Sequence, residues 1–385
     1  MLSIVLIVCV ILYLSLLAFK TLAALLALRQ MPTDSNAETL ASLSELTIVQ
    51  PILSGDPQLA EVLASNLQAL PGVRFLWLID QHDQLAQQIA SQLAARFPQA
   101  CLQIVLCPAP ADGINPKAFK LELARPLLQT PLCLVLDDDV SLPAASLQAL
   151  ARHCPQHGIV TALPHYQYGQ NLPSQLLAQF VNNNSVMTYL PLLPFTQPVT
   201  INGMCYVIRC DFLQQCGGFA PIQHHLTDDL AMAELCQRHG GKLLQLATPV
   251  MVQTSLQNWP HYLSQMHRWM VFATLLLQQQ TLTTTLLISV LQGLHPLLLW
   301  CLLILSLILS KAWLVLLPVL MLRSLAMMLV QKSVSGVSRH HFFLSLLSEL
   351  LQPLHLLHAC WQRRIRWRSR QYRVRRNDLF HAEAN

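Results

Sequence analysis

Leu132-Cys133-Leu134-Val135-Leu136-Asp137-Asp138-Asp139 is the stretch whose reading decides the fold. Five apolar residues without alternation read as a strand covered on both faces, as in a parallel sheet. Three consecutive acids then repel one another where the strand ends. The pattern recurs upstream, where Val73-Arg74-Phe75-Leu76-Trp77-Leu78-Ile79 runs into Asp80. In an open α/β sheet, ligands bind outside the carboxyl ends of the strands. Acids at two strand ends therefore face one cleft.

Outward from this stretch, strand-like and helix-like segments alternate. Strands are expected at Thr47–Leu53, Arg74–Ile79, Leu102–Leu106, Leu132–Leu136, Ile159–Leu163, Cys205–Ile208 and Leu243–Val252. Helices are expected at Gln58–Leu70, Gln84–Phe97, Pro116–Leu128, Ser174–Tyr189 and Asp228–Arg238. The alternation predicts an α/β fold with a doubly wound, mostly parallel sheet.

Of the 385 residues, 53% are hydrophobic and only 11% charged. That excludes disorder and points to membrane segments beside a soluble domain. The net charge of +5 is carried by the tail, where eight arginines fall between Arg363 and Arg376. A short Arg cluster beside apolar segments suits anionic lipid headgroups rather than nucleic acid. The eleven cysteines are scattered, without a C-x-x-C pair, and read as small buried thiols in a reducing compartment, Cys101, Cys107, Cys133 and Cys205 among them. A zinc site is not expected without paired ligand spacing.

Residues 1–28 are apolar enough to cross a bilayer, which takes about 20 residues. No Lys or Arg precedes this core, whereas Lys20 and Arg29 close it, so the downstream domain is expected in the cytoplasm. The remaining organisation reads as a linker over 29–44, a catalytic domain over 45–270 and an interfacial helix over 271–285. A transmembrane helical hairpin over 286–330 follows, interrupted at Lys311. Residues 342–360 carry Glu349, His355 and His358, which are costly at membrane depth unless they face protein. A third C-terminal span would also carry the arginines outside. That segment is therefore read as interfacial or re-entrant, and 361–385 as an Arg-rich cytoplasmic tail.

Each candidate site has a plain structural alternative. Asp137 and Asp139, at alternating positions of an extended segment, point the same way and suit a hard divalent cation that bridges phosphates. A turn role alone explains three adjacent acids poorly. Asp80 can accept hydrogen bonds from a base or ribose, while Asp83 can cap the next helix. Gly113-Ile114-Asn115-Pro116-Lys117 is either an ordinary helix start, with Pro116 at the first position, or a site that brings Lys117 and an open helix N-terminus to anionic oxygen. Of Asp228 and Asp229, one can cap a helix and the other can serve as a general base. Gln265-x-x-Arg268-Trp269 reads as a membrane-surface helix, or as an Arg for the leaving diphosphate beside an aromatic wall.

In that order, Asp80, Asp137, Asp229 and Gln265-x-x-Arg268-Trp269 resemble the D, D, D, (Q/R)-x-x-R-W pattern of lipid-directed family 2 glycosyltransferases. The chain is more similar still to the ceramide glucosyltransferase group, family 21, and its bacterial hopanoid-modifying relatives. Gly113–Lys117, Gly203-Met204, Asp211–Gly218, Asp56-Pro57 and Trp367–Arg375 carry that likeness, which extends over residues 45–376. The resemblance implies a GT-A-like domain and an inverting transfer from a UDP-sugar to a membrane lipid hydroxyl, ceramide-like or hopanoid-like. It assigns Asp80, Lys117, Asp137, Gln265 and Arg268 to the nucleotide sugar. Asp137 and Asp139 go to a divalent cation (Mg2+ or Mn2+), Asp229 to the base and Trp269 to the acceptor. The full Asp137-Asp138-Asp139 departs from the degenerate D-S-G of the eukaryotic ceramide enzymes and favours a bacterial inner-membrane protein. A processive polysaccharide synthase would need more spans. An inactive membrane scaffold would not need every carboxylate.

Overall fold

The computed structural model describes residues 1–32, 43–336, 338–367 and 370–383. Most of the expected linker, and Arg368 of the tail, lie outside the described residues. The chain divides into two compact units. One comprises Pro32–Gly169, Gln197–Ser255 and Arg366–Asn385; the other comprises Met1–Met31, Gln170–Thr196 and Leu256–Ile365.

The first unit is built on an eight-stranded sheet. Its strands are β1 (Leu46–Ile52), β2 (Arg74–Asp80), β3 (Cys101–Cys107), β4 (Leu132–Leu136), β5 (Val140–Ser141), β6 (Gly158–Tyr166), β7 (Cys205–Arg209) and β8 (Lys242–Val252). They lie in the order β3-β2-β1-β4-β7-β6-β8-β5. β3, β2, β1 and β4 are mutually parallel, as are β6 and β8. β7 runs against β4 and β6, and β5 against β8. All seven expected strands are present. The reversal of β7, the short β5 and helix Ala144–Arg152 were not foreseeable from alternation, which does not encode direction. The chain between β6 and β7 runs through Gln170–Thr196 of the other unit. It is therefore not the compact crossover helix that joins parallel neighbours.

β4 is buried along its whole length, as a run without alternation predicts. Val49, Leu76, Leu78, Val135 and Ile159 of the sheet pack with Leu121, Phe212, Phe219 and Met232 in one core. Each such side chain contributes about 1.5–3 kcal/mol. All eleven cysteines are free, and Cys107, Cys133 and Cys205 are buried as expected; Cys101 is exposed, because it opens the edge strand β3.

The C-terminal segment is not a plain charged tail. Arg370–Arg376 pairs antiparallel with Leu379–Glu383. Tyr372 and Val374 are buried while Arg373 and Arg375 are exposed. That is the period of two that a strand imposes on a sequence alternating arginine with apolar residues.

The second unit is helical. Leu2–Gln30, Leu282–Ile308 and Trp313–Ser335 are long and apolar enough to cross a membrane. Leu6, Tyr13, Leu299, Leu302, Val319 and Leu320 join them in one apolar cluster. Helix Phe342–Trp361 brings Glu349 within 2.6 Å of Arg323 Nε and 3.4 Å of His295 Nδ1. A carboxylate on an apolar helix is thereby paired inside protein. Helices Leu172–Asn184 and Trp259–Gln279 also belong to this unit. The catalytic domain read over 45–270 is thus divided between units; Leu172–Asn184 is tied into the helical unit by polar side chains, Asn183 Nδ2 donating to Ser345 Oγ and Gln179 Nε2 to the Arg339 carbonyl. The interfacial helix read over 271–285 is likewise the end of Trp259–Gln279 and the start of the next helix. The break falls at Thr281, whose Oγ1 caps Leu282–Ile288.

Candidate active site

The site grows from the start of helix Pro116–Ala124. Asn115, fully buried, caps it: its Oδ1 accepts from the backbone N–H of Lys117 at 2.9 Å and of Ala118 at 3.2 Å. Its Nδ2 donates to the carbonyls of His225 and Leu226. Pro116 takes the first position, as expected. The expectation of an open helix N-terminus facing anionic oxygen is corrected here, since the Asn115 side chain occupies those donors.

Lys117 and Lys120 lie three apart and so share one helix face. Lys117 Nζ reaches Asp137 Oδ1 at 2.7 Å and donates to the Gly203 carbonyl at 2.8 Å. Asp228 Oδ2 is 3.2 Å away, an ion contact without hydrogen-bond alignment. Burial acts to lower the Lys117 pKa, but Asp137 and Asp228 overcome it and hold the group above the usual lysine range. Lys120 Nζ reaches Asp80 Oδ1 at 2.9 Å and donates to the Ile52 carbonyl at 3.1 Å. One helix therefore sends one ammonium to the acid ending β2 and another to the acid following β4.

The three acids after β4 diverge. Asp138 turns back, accepting from the Leu53 N–H at 2.7 Å. Asp139 accepts from Thr254 Oγ1 at 2.8 Å. Its carboxyl is half-buried, and that desolvation, with Asp137 and Asp138 beside it, raises its pKa to about 7. Asp83 caps helix Gln84–Arg96 through Ala86 N–H.

Asp229 enters helix Asp228–Arg238 at its first turn, accepting from the Leu230 N–H at 2.8 Å. Burial, with Asp228 adding to it, raises its pKa to about 7. Gly203 makes this placement possible. A Cβ there would fall 2.8 Å from the Asp229 Cβ. The approach to Asp229 is held from the C-terminal hairpin: Asn377 Oδ1 accepts from both the N–H and the Oγ1 of Thr227, at 2.8 Å each. Lys120, Asn377 and Thr254 were missed from the sequence. Spacing from Lys117 could have found Lys120. The other two come from distant segments, and nothing local marks them.

The structure thus assembles Lys117, Asp137, Asp228, Asp229 and Gly203 at the carboxyl end of the sheet, with Lys120–Asp80 alongside. Gln265, Arg268 and Trp269 stand on helix Trp259–Gln279 of the helical unit. There Arg268 Nη2 donates to Gln265 Oε1 at 2.8 Å, and Trp269 stacks on Phe180 with centroids 6.2 Å apart. Tyr262, on the same helix, is buried, its hydroxyl 3.3 Å from His355 Nε2.

Chemically, the sheet end offers a half-buried carboxyl of raised pKa, a fixed lysine ammonium and further carboxylate oxygens. Among the described residues, no three acidic, His or Cys side chains converge on a metal. Asp137 and Asp139 nonetheless fit a hard divalent cation. They supply oxygen, and Asp139, already raised by desolvation with Asp137 and Asp138 beside it, is a carboxyl that a cation would return to its ionised form. A Mg2+-type ion takes one or two carboxylates and completes its shell with phosphate and water.

The family model of glycosyl transferase family 21 matches residues 4–380. Ceramide glucosyltransferase 1 of Caenorhabditis elegans is 20% identical over 232 residues, 59% of this chain and 49% of that protein. The chain thus spans about half the length of that relative. Among solved structures, a mannosyltransferase from Pyrobaculum calidifontis in complex with GDP-Man and Mn2+ superposes with a TM-score of 0.51. It is 15% identical and covers 92% of this chain and 98% of its own. That likeness shows the GT-A-like fold.

Proposed function

The chain belongs to glycosyl transferase family 21, and from that premise we propose that it moves a sugar from a UDP-sugar to a hydroxyl of a membrane lipid, with inversion at the anomeric carbon. The observation that carries this reading is the Lys117–Asp137–Asp228–Asp229 cluster, with Gly203 keeping Asp229 close.

Asp229 takes the proton of the acceptor hydroxyl as its oxygen bonds to the anomeric carbon. The bond from that carbon to the diphosphate breaks, and its electron pair leaves with UDP. A base titrating near neutrality is matched to this task. Lys117, a fixed ammonium among acids, exchanges part of its contact with Asp137 for the developing phosphate charge. Asp137 and Asp139 would hold the divalent cation, which when bound supplies charge neutralisation at the diphosphate. Asp80 receives the nucleoside. The likeness to Gln265-x-x-Arg268-Trp269 proteins supports donor roles for Gln265 and Arg268, and an acceptor role for Trp269. A ceramide-like or hopanoid-like lipid is the acceptor class, and the cytoplasmic face of a bacterial inner membrane is the setting.

The test is UDP release by the purified full chain in mixed micelles with UDP-sugars and extracted membrane lipid. UDP release that depends on lipid, with a new glycolipid by mass spectrometry, supports the reading. Binding of UDP-sugar without any product in any lipid extract overturns it.

A further inference from the structure

We propose that Lys120 is a positioning residue that sets nucleobase preference, acting through Asp80. The inference rests on the reading of Asp80 as the nucleoside contact and adds what that contact recognises. Lys120 is buried almost completely, at 2% exposure, whereas the Asp80 side chain keeps 30% of its surface open. A lysine stem this deep has few ways to place its ammonium. Here the ammonium is clamped between the last carbonyl of β1, Ile52, and Oδ1 of the last residue of β2, Asp80. β1 and β2 are adjacent and parallel, so the two acceptors belong to one rigid sheet end.

The loop that follows is fixed as well. Asp83 N–H donates to the Asp80 carbonyl at 3.0 Å, Gln87 Nε2 to the same carbonyl at 3.1 Å, and Gln81 N–H to the Cys107 carbonyl at 2.9 Å. Backbone and one carboxylate oxygen are thereby held. The rest of the Asp80 carboxylate stays accessible.

A carboxylate in such an ion pair accepts hydrogen bonds and donates none. The base that satisfies it presents a ring N–H, as uracil does. Cytosine presents a lone pair at that ring nitrogen and meets the carboxylate with repulsion. A site built around a particular polar group discriminates strongly against an analogue that leaves the group unpaired. The exposed edge of Asp80 thus reads the base, and Lys120 keeps that edge in place.

The experiment measures UDP and CDP binding to the full chain by calorimetry, with melting temperature as the control for folding. Lys120→Met should weaken UDP binding about 10–100-fold, the range for loss of a charge-assisted contact, and leave the weak CDP binding unchanged. Turnover at saturating UDP-sugar should persist, so that KM rises and kcat does not. Lys120→Arg should recover part of the loss. Asp80→Asn should erode the preference for UDP over CDP, because an amide can donate to the cytosine ring nitrogen.

The double variant Lys120→Met/Asp80→Asn leaves neither charge unpaired, and it keeps the test open should the single Lys120 variant fail to fold. Its UDP affinity should match that of Asp80→Asn alone, since Lys120 acts only through Asp80. Additive losses, or wild-type UDP affinity in Lys120→Met while Asp80→Asn is impaired, overturn the inference and leave the Asp80 assignment standing. Unchanged UDP affinity in Asp80→Asn overturns the Asp80 assignment itself.

Discussion

Gly203 lies where a single methyl group would meet the proposed base. A Cβ added there falls 2.8 Å from the Asp229 Cβ, below any ordinary contact. Gly203→Ala should push Asp229 aside, cost about 1–3 kcal/mol by overpacking, and lower kcat far more than UDP affinity. A variant with wild-type kcat would place the base elsewhere. The Asp229 pKa, raised from 3.8 to about 7, gives a second test. A base must be unprotonated, so kcat should rise with pH through a limb near 7, and Asp229→Asn should depress turnover to a level without that limb. The sign for stability is opposite. A carboxyl whose folded pKa is raised contributes stability fully below its unfolded value, and that contribution is lost as pH rises through about 7. Asp229→Asn should therefore flatten the decline in urea midpoint between pH 4 and 8; an unchanged slope would show that Asp229 is not desolvated in solution. Asp139, raised to about 7 by burial and its neighbouring acids, belongs with the proposed cation. Mg2+ or Mn2+ should raise the melting temperature of the chain but not of Asp139→Asn, and an equal rise in both would remove Asp139 from the site. Asp137, Asp139 and Lys117 were legible in the sequence because each follows a strand or starts a helix. The contact of Gly203 with Asp229 was not, since 26 positions separate the two and proximity at that range comes only from the fold.

Strands were legible where apolar runs were complete. β4 matches its expected bounds residue for residue because it is buried on both faces, and helix Asp228–Arg238 matches because the two acids fall in its first turn, although Thr227, and neither acid, holds the cap position. Direction was not legible for β7. The tail was misread because arginine dominates its composition while the intervening Tyr372, Val374 and Phe380 are the residues that pack. This matters for the site, since the turn of that hairpin places Asn377 against Thr227. Asn377→Ala leaves the Thr227 N–H and hydroxyl without their acceptor, which costs about 1–3 kcal/mol and loosens the entry to Asp228 and Asp229. Asn377→Asp keeps the accepting oxygen. We expect turnover to fall in the alanine variant, with UDP binding little changed, and to recover in the aspartate variant. Equal activity in all three proteins would mean that the hairpin only packs. The same register leaves Arg373 and Arg375 exposed, so which of these arginines reach the surface is selected by strand alternation and not by charge count.

At the scale of the whole molecule, three helices among the described residues are long and apolar enough to cross a membrane: Leu2–Gln30, Leu282–Ile308 and Trp313–Ser335. Only Arg29 is basic in the last turn of the first, and none of the eight tail arginines precedes Arg363. Positive residues favour the cytoplasmic side, so the first helix should run inward. Two further spans should then return the chain to the same side, so that the sheet unit and the arginine-rich hairpin share one compartment. Helix Phe342–Trp361 is the element that could break this parity. Its exposed Phe343, Leu347, Leu354, Leu357 and Trp361 favour apolar surroundings, while Glu349 and His355 are buried. As an interfacial helix it leaves the count even; as a fourth span it carries eight arginines across, against a bias worth about 1 kcal/mol for each arginine near an anionic surface. A reporter fused after Asn385 should therefore read cytoplasmic, as should one inserted in the Gly217-Gly218 turn of the sheet unit. A cytoplasmic signal from the turn with an extracytoplasmic one from Asn385 would make Phe342–Trp361 a span and would also overturn the packing of the hairpin on the sheet unit through Asn377 and Thr227. Reversed signals at both positions would mean that the first helix runs outward and would remove the positive-inside argument altogether.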